Sequence, residues 1–299
     1  MVEKDGDRLI VKNSGKPPLT LIKSDGGYTY DTTDVAAIRY RLLELGADSI
    51  YYVIDIGQSL HMQQVFDVAR EAGWLNDKHV EHVAFGLVLS DSGTKFKSRD
   101  GNTIKLQQLL DEAVNRAFAI IKDKNPNLTD EEINKVVDAV AYGSIKYADL
   151  SGTRTNNYTF SFDRMLSFTG NTAPYLIYAY VRIESILRNS GEHRKIMFNH
   201  IDNLNIEHVA EISLAKYIIQ FPEILDKVSN SLMFHTLCNY LYTLSTEFHN
   251  FFTKCRCIHY NEDGEITSVE YSRLLLCESI RRIMEKCFYI LGLQTLEKM

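Results

Sequence analysis

The 299 residues contain no run of about eighteen apolar side chains, the length a helix needs to cross a bilayer. The amino terminus is charged and lacks the apolar core of a signal peptide. No membrane partner is therefore expected. A basic excess is also missing: 33 Lys and Arg face 39 Asp and Glu, a net charge of −6, which argues against indiscriminate nucleic-acid binding. It leaves room for recognition of a folded RNA through local patches. Cysteine is sparse and odd in number. Cys238, Cys255, Cys257, Cys277 and Cys287 all lie in the second half, which reads as a reduced, cytosolic chain. Cys255-Arg256-Cys257 has no second pair at zinc-ligand spacing and His259 does not complete one, so no structural metal is expected. Tandem repeats and low-complexity segments are absent.

What is present supports sizeable cores: 45% of residues are apolar, and 34.3 kDa is enough chain for two domains. The most informative stretch is Lys23-Ser24-Asp25-Gly26-Gly27-Tyr28-Thr29-Tyr30-Asp31-Thr32-Thr33-Asp34. It places three carboxylates and two tyrosines between a buried strand, Pro18–Ile22, and an amphipathic helix through Val35, Ile38 and Leu42 that Gly46 ends. The reading puts Thr33 at the N-cap, Asp34 in the first turn and Tyr30 upstream in the loop. Asp34 is then either an acid that offsets the helix dipole or part of a pocket for a planar cation. Ser49–Asp55 reads as a second strand, Ile56-Gly57-Gln58-Ser59 as a loop, Leu60–Ala72 as a helix closed by Gly73, and Val80–Leu89 as a further strand. Such alternation implies parallel crossovers in a doubly wound sheet, whose ligands bind beyond the carboxyl ends of the strands. Tyr30, Asp34, Asp55 and Gln58 fall in loops at those ends on this reading.

The loop from Ser90 to Gly101 carries Lys95, Lys97 and Arg99 among small hydroxyls and suits closure over phosphates. From about Thr103 the pattern turns helical. Thr129 with Glu132 is a capping box, Asn171-Thr172-Ala173-Pro174 opens another helix, and further helices cover Ile206–Gln220, Pro222 to about Lys254, and Tyr271–Leu291. Short strands flank Asn261–Gly264 as a hairpin. On the helix Tyr175–Asn189, Tyr175, Tyr178 and Tyr180 interleave with Arg182 and Arg188. They are either core side chains or a platform for unpaired RNA bases. Arg281, Arg282 and Lys286 read as a solvated helix face.

Several of these stretches, in order, resemble arginyl-tRNA synthetases of class I, the eukaryotic cytosolic form above all. They are residues 23–34, Asp55-Ile56-Gly57-Gln58-Ser59, Ala141–Leu150, Phe160-Ser161-Phe162-Asp163, Gly170–Ala179, Arg273–Cys277 and Leu291-Gly292-Leu293 up to Met299. The resemblance implies an α/β catalytic domain of Rossmann type followed by an all-α anticodon-binding bundle, divided here at 1–150 and 151–299. It implies ATP-dependent activation of arginine and its transfer to the 2′-hydroxyl of the terminal adenosine of its tRNA in the cytoplasm, with Mg2+ accompanying ATP. By the same resemblance Asp34 binds the guanidinium and Tyr30 and Gln58 orient the amino acid. Lys95, Phe96, Lys97, Ser98 and Arg99 stand where the phosphate loop has Lys-Met-Ser-Lys-Ser. Tyr175, Tyr178, Arg182, Arg188 and Met299 fall in tRNA-contacting positions. The family's His-Ile-Gly-His signature does not occur, and His79-Val80-Glu81-His82 lies in the wrong context for it. The sequence is thus expected to be the carboxy-terminal part of a synthetase, inactive alone, whose amino-terminal region would dock into a multi-synthetase complex. The alternative is a non-catalytic tRNA-binding module that retains the synthetase surface.

Overall fold

The computed structural model describes residues 2–12, 15–90, 93, 105–125 and 128–299. Its contacts form two compact units, Met1–Leu87 with Thr155–Asn157, and Val88–Arg154 with Tyr158–Met299.

The first unit opens with β1 (Val2–Asp5), β2 (Arg8–Val11) and β3 (Leu19–Ile22), which pair antiparallel in the order β1-β2-β3. The strand expected at Pro18–Ile22 is present, but it belongs to this meander and not to a parallel crossover. Helix α1 (Tyr30–Arg39) runs on into a π-turn, Tyr40–Glu44. It begins earlier than the sequence suggests. Thr29, with φ −111° and ψ 173°, is the N-cap, and its N–H donates to the Thr32 hydroxyl at 3.2 Å. The Thr29 and Thr32 hydroxyls donate to the Thr20 and Leu21 carbonyls, so the helix start is clamped to β3. Thr33, expected to cap, instead donates its hydroxyl to the Tyr30 carbonyl at 2.9 Å.

β4 (Ser49–Tyr52) follows, then a 3-10 turn at Ile56–Gln58 and α2 (Ser59–Glu71). β5 (His79–His82) pairs parallel with β4. The single strand expected over Val80–Leu89 is broken. After His82 the pairing continues through a lone bridge between Asp55 and Phe85, and β6 (Val88–Leu89) lies in the second unit. Gly86 marks the break: a Cβ there would sit 2.3 Å from the Asn156 carbonyl oxygen, so the backbone approach requires glycine. The core of this unit joins Val11 and Leu19 to Ile38 of α1, Leu42 of the π-turn that continues it, and Met62, Val65 and Ala69 of α2, at i, i+3 and i+4 spacings.

In the second unit β6 pairs parallel with β7 (Tyr158–Thr159). α3 (Leu106–Lys124) and α4 (Asp130–Ser151) precede β7, with α4 opened by Thr129 and Glu132 as expected. Then come the short α5 (Phe162–Met165), α6 (Ala173–Asn189), the single-turn α7 (His193–Ile196), a 3-10 stretch at Met197–Asn203, and α8 (Val209–Ile219). The helix read from Pro222 to Lys254 is two: α9 (Phe221–Ser231) and α10 (His235–Lys254), parted at Leu232, whose φ is +53°. The hairpin is β8 (Ile258–Tyr260) with β9 (Ile266–Val269), antiparallel. α11 (Tyr271–Leu291) ends on Gly292 in the left-handed region, φ +66°. Leu176, Ile177 and Ile183 of α6, Leu244, Phe248 and Phe251 of α10 and Ile280, Met284 and Phe288 of α11 are buried in one continuous core.

All five cysteines are buried and unpaired, with Cys257 and Cys277 sulfurs 3.9 Å apart. Burial pushes the Cys238 thiol up to about 12. Among the described residues no helix is long and apolar enough to cross a membrane, and no three His, Cys, Asp or Glu gather as metal ligands. Arg281 is not on a solvated face. Its guanidinium meets Glu278 at 3.0 Å, Glu285 at 3.2 Å and Glu184 at 3.6 Å, while Arg282 reaches Glu278 at 2.8 Å. Burial raises the Glu278 carboxyl, but the two guanidiniums outweigh it and hold its pKa below the ordinary value.

Candidate arginine site and RNA groove

The early start of α1 changes how its acids are used. Asp25 closes the preceding turn, its Oδ1 accepting from the Gly27 amide at 2.9 Å. Asp31 is buried and its Oδ2 accepts from the Thr20 amide of β3 at 2.9 Å. Both therefore serve the fold. Asp34 lies in the second helical turn, not the first, so compensation of the helix dipole is not its main role. Tyr30 is the first helical residue and not a loop residue. The i, i+4 spacing puts Tyr30 and Asp34 on one face. The Tyr30 ring is 70% exposed and the Asp34 side chain 42% accessible.

His61, on the first turn of α2, completes the group, and sequence reasoning missed it. Its Nε2 is 2.7 Å from Asp34 Oδ2, its Nδ1 is 3.5 Å from Asp31 Oδ1, and its ring meets Tyr30 edge-on at 4.9 Å. The available signal was its place three residues after Gln58, one turn along the same helix. Gln58 is exposed at the N-cap of α2, and Asp55 accepts from the Gly57 amide at 2.7 Å to fix the turn before it. Lys95, Phe96, Lys97, Ser98 and Arg99 lie outside the described residues. Lys105, which follows that stretch in sequence, is the N-cap residue of α3.

On α6 the two readings divide by residue. Tyr180 is buried against Phe288 and belongs to the core. Tyr175 is half-buried, its hydroxyl 3.2 Å from His249 Nδ1, which also lies 2.8 Å from the Ser245 carbonyl. Burial, then the nearby Arg182 charge, lower the His249 pKa against the opposing Ser245 carbonyl. Tyr178 is exposed and stacks on His249 with rings 9° from parallel. The Arg182 guanidinium lies 4.8 Å from the ring centres of both Tyr178 and Phe252. Tyr178, Arg182 and Phe252 line an open groove of about 720 Å³ with Lys254, Arg256 and Tyr260. Phe252, Lys254, Arg256 and Tyr260 were not singled out in the sequence, although two basic residues stand there between two aromatic ones, from the end of α10 to the end of β8. The groove thus offers aromatic faces and cations together, the combination that holds an unpaired base and its phosphates.

Arg188 and Met299 are not in this groove. Arg188 donates to the Glu297 carbonyl at 3.1 Å and lines a separate hollow of about 540 Å³ with Arg194 and Arg281. Met299 packs partly buried on the helical core, and Lys146 donates to the Gly292 carbonyl at 2.8 Å, so with the Arg188 contact the carboxy-terminal segment is tied down along its length.

Comparison with known proteins finds relatives of both parts of the chain. Residues 1–162 match the family model for the catalytic domain of class I tRNA synthetases (R), and residues 176–299 match the DALR anticodon binding domain. The chain is 47% identical to a cytoplasmic arginine–tRNA ligase of Xenopus tropicalis, over 100% of this chain and 46% of that protein. It is 45% identical to a cytoplasmic arginine–tRNA ligase of Homo sapiens, over 99% and 46%. The chain spans about half the length of the curated relatives it matches. The solved arginyl-tRNA synthetase of Plasmodium falciparum superposes with a TM-score of 0.80 at 34% identity, over 100% of this chain and 50% of that one. That of Thermus thermophilus shares the fold, with a TM-score of 0.80 at 23% identity over 99% and 55%.

Proposed function

The chain belongs to the class I arginyl-tRNA synthetase family, and on that premise we propose that it supplies the arginine-reading and tRNA-binding parts of an arginine–tRNA ligase. The observation that carries this reading is the division of labour among the acids at the start of α1: Asp25 in the turn before it and Asp31 within it serve the fold, and Asp34 is the acid left half-open beside the exposed Tyr30 side chain. A carboxylate accepts charge-assisted hydrogen bonds from the planar guanidinium fork, and an aromatic ring beside it contacts the guanidinium face. Lysine presents a single ammonium and cannot reproduce that fork. Gln58, at the start of α2, orients the amino acid.

The reaction has two steps. The arginine carboxylate attacks the α-phosphorus of ATP, forming arginyl-adenylate and releasing pyrophosphate. The 2′-hydroxyl of the terminal tRNA adenosine then attacks the adenylate carbonyl and releases AMP. ATP enters with Mg2+, and Lys95, Phe96, Lys97, Ser98 and Arg99 serve the leaving pyrophosphate, Lys97 and Arg99 as the cations. The groove at Tyr178 and Arg182 takes an unpaired base of the tRNA, with Tyr175 supporting it through His249 and with Arg188 and Met299 on the same domain. The cytoplasmic relatives support a cytoplasmic location, and docking into a multi-synthetase complex would engage residues outside these 299.

The test is ATP–pyrophosphate exchange with tRNA present, for this chain and for the product of the whole gene. Exchange dependent on arginine and not on lysine is expected from the whole product, and none from the 299 residues alone. No exchange in either supports a tRNA-binding module and overturns the ligase reading.

A further inference from the structure

We propose that His61 is a positioning residue that sets the orientation of the Asp34 carboxylate and so tunes selection of arginine over lysine. This rests on the reading of Asp34 as the guanidinium acceptor. An ionised carboxylate can only accept, so the 2.7 Å contact between His61 Nε2 and Asp34 Oδ2 is an N–H donated by the imidazole. That bond engages one oxygen of Asp34 and leaves the other for the ligand.

The imidazole faces a second acid on its opposite side. Asp31 is buried, 8% exposed, and tied to β3 through the Thr20 amide, while its second oxygen has no hydrogen-bond partner and lies 3.5 Å from His61 Nδ1. The Tyr30 ring packs edge-on against the imidazole at 4.9 Å. A line of close contacts therefore runs from the β3 backbone through Asp31 and His61 to Asp34. The His61 side chain is 14% accessible and the Asp34 side chain 42%, so the line leads from the interior to the open acid. A short acid alone on a helix face turns freely about its side-chain bonds. One fixed by a donor presents its remaining lone pairs in one plane, and the ligand need not order it. A planar fork depends on that plane, whereas a lysine ammonium accepts a carboxylate in many orientations. Loss of His61 is therefore expected to weaken arginine more than lysine.

The experiment uses the product of the whole gene with tRNA present. It measures arginine and lysine dissociation constants by equilibrium dialysis and the KM for ATP by pyrophosphate exchange, for His61→Leu, His61→Gln, Asp34→Asn and the Asp34→Asn/His61→Leu double variant. Glutamine retains an N–H at the reach of Nε2 and is the conservative replacement. We expect His61→Leu to weaken arginine about tenfold, the scale of one charge-assisted hydrogen bond. Lysine affinity and the KM for ATP should stay within about twofold, and His61→Gln should recover arginine affinity to within about threefold of the wild type. In the Asp34→Asn background His61→Leu should add less than about twofold, because the two act through one contact. The proposal is overturned if leucine and glutamine behave alike, if the KM for ATP moves with arginine affinity, or if the two substitutions multiply fully. Asp34→Asn effective while every His61 variant is silent overturns the role of His61 alone. Arginine affinity unchanged in Asp34→Asn overturns the arginine site and this proposal with it. Thermal melting of each variant separates loss of fold from loss of positioning.

Discussion

The two units of this chain are held together by different physics. In the second, long helices bury leucine, isoleucine and phenylalanine in a continuous core, and ion pairs such as Arg273–Glu211 and Arg281–Glu278 stand at its edge. The first has short strands and a small core, and side chains bound to backbone do much of the fastening. Thr29, Thr32 and Asp31 clamp α1 to β3, Lys78 Nζ donates to the Leu42 carbonyl, and Lys16 meets Asp67 at 2.5 Å. The difference matches the work proposed for each. A helical core supplies a stiff surface on which aromatic rings stand ready for bases. A polar scaffold can hold one carboxylate open to a cation because its neighbours already have partners.

Two matched substitutions put that contrast at risk. Phe248→Ala removes a fully buried ring from the helical core and is expected to cost about 3–5 kcal/mol. Thr29→Val removes a hydroxyl clamp in the first unit and is expected to cost about 1–2 kcal/mol. Chemical denaturation of both variants measures this, and equal costs would erase the distinction. The groove sharpens the comparison at smaller scale. Tyr178→Ala or Arg182→Ala should weaken tRNA binding by about 1–3 kcal/mol in filter binding, with a shallower salt dependence for Arg182→Ala. Unchanged affinity for both would return these side chains to a purely structural role. The smallest effect is electrostatic. The Glu211 carboxyl is raised by burial, but Arg273 at 2.6 Å and the His208 and Glu207 amides hold it below its ordinary 4.5. A carboxyl lowered in the folded state contributes stability above its unfolded value, and that contribution is lost as pH falls through the folded value. Thermal midpoints of the wild type should therefore drop between about pH 5 and pH 3, and Glu211→Gln should flatten part of that fall.

The second unit was the more legible of the two for the same physical reason. Long helices repeat their apolar period over many residues, and their ends carry local signals: Thr129 with Glu132, Thr172 before Ala173-Pro174, and Gly292 after Leu291. Asn261–Gly264 gave away the hairpin. The break at Leu232 was invisible because a leucine, not a glycine, takes the left-handed conformation there. In the first unit local signals compete. Thr29, Thr32 and Thr33 all suit a helix start, and only the β3 carbonyls that lie across from Thr29 and Thr32 decide among them. β5 and β6 look like one strand until Asn156, seventy residues away in sequence, is seen against Gly86. Of the candidate site, Tyr30, Asp34 and Gln58 were picked out by their place between strand and helix and given roles by the resemblance, while His61 meets Asp34 through space from another helix.

The central claim is that Asp34 distinguishes arginine from lysine, and Asp34→Asn in the product of the whole gene tests it most directly. Pyrophosphate exchange should be measured with arginine and with lysine in the presence of tRNA, alongside tRNA binding. The expected result is loss of the preference for arginine, with its KM raised at least about tenfold and tRNA affinity kept. An unchanged KM for arginine would contradict the assignment.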